Sequence, residues 1–466
     1  MEGSHDECMF RIRDEAGSSG RMRDDACFKG KGISMTNPIA AGEKKYTDLS
    51  KARRWLLLIL VSMGSSVLYG PIYLKMVFYD PLMQALGCTN EQLGTLVTVY
   101  GIAALVFYLP SGIIADKVRV RTLSWIGYAG VAALTLVYAL MPSYTVLMGV
   151  FVGYAVFSIL IWWGTRYKLV RLICSEEEYP QKIGMSYGIY GAVGLVLSLI
   201  QTAIVSSIID ATQAVQVVLI VSAVVIAACG VASFIFIPKF EGEIKRDSKS
   251  AFSLHEAAEA LKNPGVWCAA LTMFFIYFVY IGTTFTTPFM TACLAAPVAV
   301  VSLIGTIRSF GVSIISAPVF GWFSKIAKSP SKVILIGTLG AIACLVALIV
   351  MPRTPSMIIV VAVLVCLMAF VTNGLYGISS GQLAETHIPP HLFGAGVGLV
   401  SVIGLLPDAF IHTWFGSMID AQGADAFNTI FMIMIACCVL IMVFAFLTIR
   451  VSRRNERKNA GSEENR

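Results

Sequence analysis

The stretch GTIRSFGVSIISAPVFGW, residues 305–322, is apolar and small almost throughout, yet it holds Arg308 and no acid. A guanidinium offers five donors in a rigid fork suited to carboxylate, phosphate or sulfonate oxygens. At the centre of a bilayer an arginine costs roughly 2.5–3.5 kcal/mol on insertion scales, so it calls for a partner or a bound anion. Two readings of Arg308 stay open: contact with a ligand, or a structural ion pair with Asp408. Lys75 is a second cation, with Tyr69, Tyr73 and Tyr79 around it to help hold an anion. Its alternative is snorkelling to an interface, and Asp80 either ends that segment or pairs with it. Arg166 and Lys168 follow Trp162 and Trp163, so Arg166 is a further anion contact unless the group only anchors an interface.

Two more segments carry usable chemistry. FFIYFVYIGTTFTTPF, 274–289, sets Tyr277 and Tyr280 ahead of Gly282, a threonine cluster and Pro288. It predicts a bendable helix with an aromatic and hydroxyl lining, or else ordinary packing by small and hydroxyl residues. Asp408 and His412 are four residues apart, on one helical face, where a proton could pass between them. Alternatively Asp408 only neutralises Arg308 and His412 is a packed neutral ring.

What must hold these residues is a membrane protein. The chain of 466 residues is 57% hydrophobic and only 14% charged, with a mean hydropathy of +0.76, whereas soluble chains are about one quarter charged. Twelve apolar runs are each long enough to cross a bilayer: 55–79, 93–115, 122–141, 145–166, 184–208, 214–237, 266–292, 298–323, 333–351, 356–380, 393–418 and 426–449. The expected organisation is a disordered cytoplasmic tail over 1–50, a six-helix bundle over 51–238 and a cytoplasmic linker over 239–264. A second six-helix bundle follows over 265–450, with a short cytoplasmic tail over 451–466. Met35 offers a second start, and Leu254 to Lys262 a short surface helix in the linker.

Basic residues outside the spans gather at alternate ends, with Arg353 alone on the other side, so the positive-inside rule places both termini and the linker in the cytoplasm. The net charge of +7 is mostly this asymmetry and not a nucleic-acid patch. Eleven cysteines form no CxxC pair, so neither disulfides nor a metal site is expected, and no cofactor is implied. No GxxxxGK[ST] occurs, which leaves out an ATPase, and no polar constellation suits an enzyme.

The chain repeats itself. GIIADKVRVR (112–121) returns 209 residues later as GWFSKIAKSPSK (321–332), Glu176 meets Glu385 at the same offset, and Gly184 and Gly188 meet Gly394 and Gly398 at an offset of 210. The first of these stretches resembles the signature between the second and third helices of the major facilitator superfamily, with Gly112, Asp116, Lys117 and Arg121 matching. Arg119 stands where that signature has glycine, Val120 where it has arginine, and Lys325 replaces the aspartate in the second copy. YLKMVFYDPL (73–82), SEEE (175–178) and GLLPDAF (404–410) are similar to a bacterial inner-membrane branch often labelled nitrate/nitrite-porter-like.

The resemblance implies an all-α fold of two pseudo-symmetric six-helix bundles, with a substrate site between them that opens alternately to either side. It implies a secondary transporter of the inner membrane, monomeric and surrounded by lipid. Gly112, Asp116, Lys117, Arg121, Asp408 and His412 are its expected gating and coupling residues. Arg308, Lys75, Tyr73, Tyr277, Tyr280 and Arg166 are the expected substrate contacts. Two intramembrane cations favour a small organic anion, with protons or a counter-transported anion as coupling partner. A neutral solute such as a sugar or nucleoside, and a membrane sensor on a transporter scaffold, are the alternatives.

Overall fold

The polar punctuation between the apolar runs becomes helix caps. Ser50 accepts from the Arg53 amide at 3.2 Å, Asp210 from Gln213 at 2.6 Å and Ser329 from Lys332 at 3.2 Å. Thr89 and Gln92 close a reciprocal capping box. Each cap satisfies an amide that the helix leaves without a partner, so crossings start at defined residues.

The computed structural model describes residues 43–244 and 254–463. Helix one is Lys51–Tyr69, followed by a tight turn Leu74–Met76 and a short helix Tyr79–Leu86. Helices two and three are Asn90–Lys117 and Val120–Ala139. Helix four runs Tyr144–Ala155, widens into a π-helical turn at Val156–Ile161 and resumes at Trp163–Leu172. Helices five and six are Tyr179–Ser207 and Ala211–Phe236. After a linker helix, Leu254–Ala260, helix seven is Pro264–Gly282, a tight turn Thr283–Phe285 and Thr286–Leu294. Helix eight is Val298–Thr306, a π-turn Ile307–Gly311 and Val312–Ala327; helices nine and ten are Pro330–Val350 and Ile358–Ser379. Helix eleven is Pro390–Gly404, a tight turn Leu406–Ala409 and Ile411–Gln422, and helix twelve is Ala426–Glu463.

Among the described residues eleven stretches qualify as spans by length and hydropathy, and the last, Leu392–Arg457, is 66 residues long. At about 1.5 Å per residue that would reach roughly 100 Å, three times a hydrocarbon core. Gly423, at φ 59°, turns the chain between helices eleven and twelve and divides this stretch into two crossings. The described residues contain one isolated bridge, Lys44 with Phe240, and no strand.

Helices one, seven and eleven, each expected as a single span and helix seven as a bendable one, are broken. Gly70-Pro71 interrupts helix one and Pro407 helix eleven, since proline supplies no amide to the helical ladder. In helix seven three threonine hydroxyls turn back onto carbonyls three residues earlier, Thr283 to Tyr280, Thr284 to Ile281 and Thr286 to Thr283. The breaks in helices one and seven fall at matching places in the two halves.

Helices two and eleven lie against each other at one end only. A methyl group at Gly94 would stand 2.1 Å from the His412 carbonyl oxygen, at Gly101 2.7 Å from that of Asp408 and at Gly416 2.4 Å from that of Asn90. Only glycine permits backbones this close. At the other end, Gly112 of helix two, Gly394 of helix eleven and Gly184 of helix five face open space, with nothing within 4 Å. The molecule is therefore shut on the face opposite the linker and parted on the linker face.

The proposed starting point at Met35 and the tail over residues 1–42 lie outside the described residues. The rest of that expected tail is ordered. Lys44 donates to the Lys239 carbonyl at 2.9 Å and its own carbonyl accepts from Glu241 at 3.1 Å, so the segment before helix one is held to the start of the linker.

Candidate functional site

Arg308 is buried on the π-turn of helix eight. Its Nη1 donates to the carbonyls of Thr283 and Thr284 at 3.0 and 3.3 Å and to the hydroxyls of Thr286 and Thr287 at 3.1 and 3.0 Å. Nη2 donates to the Met76 carbonyl in the break of helix one and to Ser309 at 3.5 Å. Apart from Ser309, the groups it meets belong to the breaks of two helices, one from each half, and the Thr283 and Met76 carbonyls are shared with the hydroxyls of Thr286 and Thr287. No carboxylate is among them, so the ion pair with Asp408 is not formed.

Asp408 is committed elsewhere. One carboxylate oxygen accepts from Tyr73 at 2.8 Å and Tyr277 at 3.2 Å, and the other meets His412 Nε2 at 3.0 Å. This joins the breaks of helices one and eleven to helix seven through one buried acid. His412 Nδ1 is buried without a hydrogen-bond partner, as is the Lys75 ammonium, which lies 5.5 Å from the centre of the Phe285 ring. Lys75 is within electrostatic reach of Asp408. Asp80, the other acid considered for it, instead begins the short helix Tyr79–Leu86 and accepts from Thr291 at 2.7 Å.

Arg166 sits just beyond the π-turn of helix four and is buried, yet its Nε and Nη2 have no hydrogen-bond partner. Its guanidinium carbon lies 4.7 Å from the Tyr187 ring centre and 5.5 Å from that of Tyr167. Aromatic faces offset part of the cost of a buried cation but accept no hydrogen bonds in the plane of the fork. The neighbouring Lys168 donates to the carbonyls of Ala115 and, at 3.4 Å, Val118, at the end of helix two.

Tyr277 and Tyr280 lie together, their rings 5.9 Å apart and near parallel. Tyr376 of helix ten completes the group at 5.3 Å from each. Sequence reasoning passed over Tyr376 and Tyr187, because lone tyrosines in apolar helices carry no local signal of clustering.

At the linker face the signature residues separate. Asp116 makes no hydrogen bond or ion pair among the described residues, and Lys117 is exposed. Arg121 stacks on Phe234 at 4.4 Å. Arg119 takes Glu43 at 2.7 Å and Glu243 at 3.4 Å, and Glu43 raises its pKa further. Glu243 also accepts from the Val120 amide at the start of helix three. Glu385 plays the matching part in the second half, accepting from Ser329 and from the Ser331 amide (3.1 Å) and hydroxyl (2.6 Å) at the start of helix nine. On the opposite face Asp420, at the end of helix eleven, accepts from the amides of Asn90 (3.1 Å) and Glu91 (2.7 Å) and from the Asn90 side chain (2.7 Å). A carboxylate from one half thus caps the first turn of helix two in the other, where the helix dipole favours negative charge. Glu43, Glu243 and Asp420 were not foreseen; each acts through a partner distant in sequence.

Broken helices that meet between two repeated six-helix halves, around buried charge, are the architecture of a membrane transporter. The profile of the Major Facilitator Superfamily matches residues 55–411, and the chain belongs to that family. It is a multi-pass membrane transporter and not an enzyme. It is 26% identical over 411 residues to inner membrane protein YqcE of Escherichia coli (strain K12), covering 86% of this chain and 96% of that one. It is 25% identical over 414 residues to inner membrane protein YihN of the same organism, covering 87% and 97%. Among solved structures, a bacterial homolog of the human lysosomal transporter Spinster, inward-facing and unoccupied, superposes with a TM-score of 0.68 at 14% identity, covering 87% of this chain and 98% of that one. The nucleoside transporter NupG gives 0.68 at 16%, covering 85% and 99%.

Proposed function

We propose that this protein is a secondary transporter of a small organic anion in the inner membrane, with termini and linker in the cytoplasm, so that the parted face is the cytoplasmic one. The observation that carries the reading is a charge imbalance with donors unspent. Lys75, Arg166 and Arg308 are buried within the spans against the single buried acid Asp408. Both terminal nitrogens of Arg308 are engaged by carbonyls and hydroxyls, whereas Arg166 and Lys75 keep buried donors free. These two, and not Arg308, are the principal counter-charges, with Tyr73, Tyr277 and Tyr280 contributing hydroxyls. A buried unpaired cation is costly, and an anionic ligand removes that cost on binding.

Asp408 and His412 are the coupling pair, through which a proton or a second anion is exchanged against substrate. Asp116 is the cytoplasmic counterpart of Asp420. Helices two and eleven are antiparallel, so the acid at the end of helix two lies toward the start of helix eleven, as Asp420 lies toward the start of helix two. Asp116 is uncommitted in this conformation because its face is open, and it engages when that face shuts. The tyrosine group favours a second reading, a neutral solute with a flat face such as a sugar or nucleoside.

A thermal-shift screen of anionic and neutral metabolites on the wild type and Arg166→Gln tests the substrate class. Stabilisation by one anion class that disappears in the mutant supports the reading. A neutral compound stabilising both proteins equally, with no anion doing so, overturns it. Asp116→Asn is expected to slow exchange several-fold with substrate affinity unchanged; a large loss of affinity at a normal exchange rate would contradict the latch.

A further inference from the structure

Away from the tyrosine-lined site, a cavity of about 200 Å³ opens on the linker face, where helix one begins, helix four has ended and helix five begins. Lys51, Arg54 and Lys182 line it with the acid Glu178, and Trp55, Leu58 and Ile173 form its apolar wall. Lys182 lies over the Trp55 ring, 4.7 Å from its centre. Among the described residues none of the three cations takes part in an ion pair, whereas Arg171 nearby pairs with Glu176 and Arg119 with Glu43 and Glu243. The basic residues of this cavity are uncommitted where their neighbours are not.

What lies beneath the cavity narrows the ligand. Trp55, Leu56 and Ile59 are each about two-fifths exposed (42%, 40% and 42%) along the second and third turns of helix one. A soluble anion has no use for an exposed apolar wall leading away from its charge. A lipid uses both. Tryptophan belongs at the headgroup level of a membrane, and basic clusters beside spans draw anionic lipids at about 1 kcal/mol per charge. Three cations against one acid exceed what a zwitterionic headgroup neutralises, and the Arg54 fork matches two phosphate oxygens.

We infer that this cavity is a binding site for the phosphate headgroup of an anionic phospholipid, seated by Lys51, Arg54 and Lys182 with an acyl chain along Trp55, Leu56 and Ile59. Glu178 accepts from headgroup hydroxyls, which favours phosphatidylglycerol or cardiolipin over a bare phosphate monoester. The site is separate from the proposed substrate contacts and does not depend on what is transported.

The test uses the full chain purified in detergent and titrated with phosphatidylglycerol, phosphatidylcholine or inorganic phosphate, reading retained lipid by native mass spectrometry and stability by thermal shift. Phosphatidylglycerol is expected to bind at least tenfold tighter than phosphatidylcholine, with inorganic phosphate giving no comparable stabilisation. The double variant Arg54→Gln/Lys182→Gln should lose that preference. Lys325→Gln/Lys328→Gln, which removes the same charge from the same face, should keep it. Equal losses in the two variants would reduce the effect to general basicity and overturn the site. Stabilisation by phosphate alone would overturn the lipid as its occupant, and so would equal binding of the two lipids.

Discussion

Arg308 and Arg166 are both buried arginines, each beside a π-helical turn and neither paired with a carboxylate, and they are opposites in what their donors do. The π-turn of helix eight carries Arg308 into the gap between two broken helices, where six acceptors meet it. The π-turn of helix four carries Arg166 onto two tyrosine faces, where two of its donor atoms find none. Burial alone therefore does not identify a ligand contact in a membrane; the state of the donors does. A satisfied arginine holds structure, and an unsatisfied one stores the cost that a ligand relieves.

The comparison is most exposed to Arg308→Gln. Glutamine reaches fewer of the six acceptors; the carbonyls of Thr283 and Met76 keep the hydroxyls of Thr286 and Thr287 as donors, but hydrogen bonds from a charged group are lost, at about 1.5–3 kcal/mol for each. The purified protein should melt at least about 3 kcal/mol less stably, read by thermal unfolding in detergent. An unchanged midpoint would place the two arginines in one class. Arg166→Gln should move the other way in stability and downward in binding. Removing an unpaired buried charge is expected to leave the midpoint unchanged or raised by about 1 kcal/mol, while anion affinity falls tenfold or more, about 1.4 kcal/mol. A destabilised Arg166→Gln would show that its donors are engaged after all. The smallest effect is expected from Arg166→Lys, which keeps the charge but loses the planar fork over Tyr187. Affinity should drop only a few-fold, about 0.5–1 kcal/mol, measured in the same titration.

Much of this was legible in the sequence because hydropathy and charge report on the solvent, and every span had to meet the same one. The twelve crossings follow from that. The residues with unusual chemistry were legible too: Arg308, Lys75, Asp408 and His412 stand out because a bilayer tolerates few such groups. Their partners were not. That Arg308 meets the carbonyl of Met76, or that Asp408 takes Tyr73 and not Arg308, depends on where two helices break relative to each other. Gly70-Pro71 and Pro407 lie at two of the breaks in helices read as single spans, and the threonine back-bonding in helix seven and the π-turns have no composition that sets them apart. Backbone carbonyls as partners are the hardest to foresee, since every residue carries one.

The cap that Asp420 places on helix two has a kinetic side. Its three hydrogen bonds end on two consecutive residues, Asn90 and Glu91, so they are lost together when helices two and eleven part, not one after another. Bonds to a charged group are worth about 1.5–3 kcal/mol apiece, and even a net 4 kcal/mol for the set would make spontaneous parting of that face roughly a thousandfold rarer. An empty carrier built this way idles in one conformation, and its leak is set by how seldom a single carboxylate lets go.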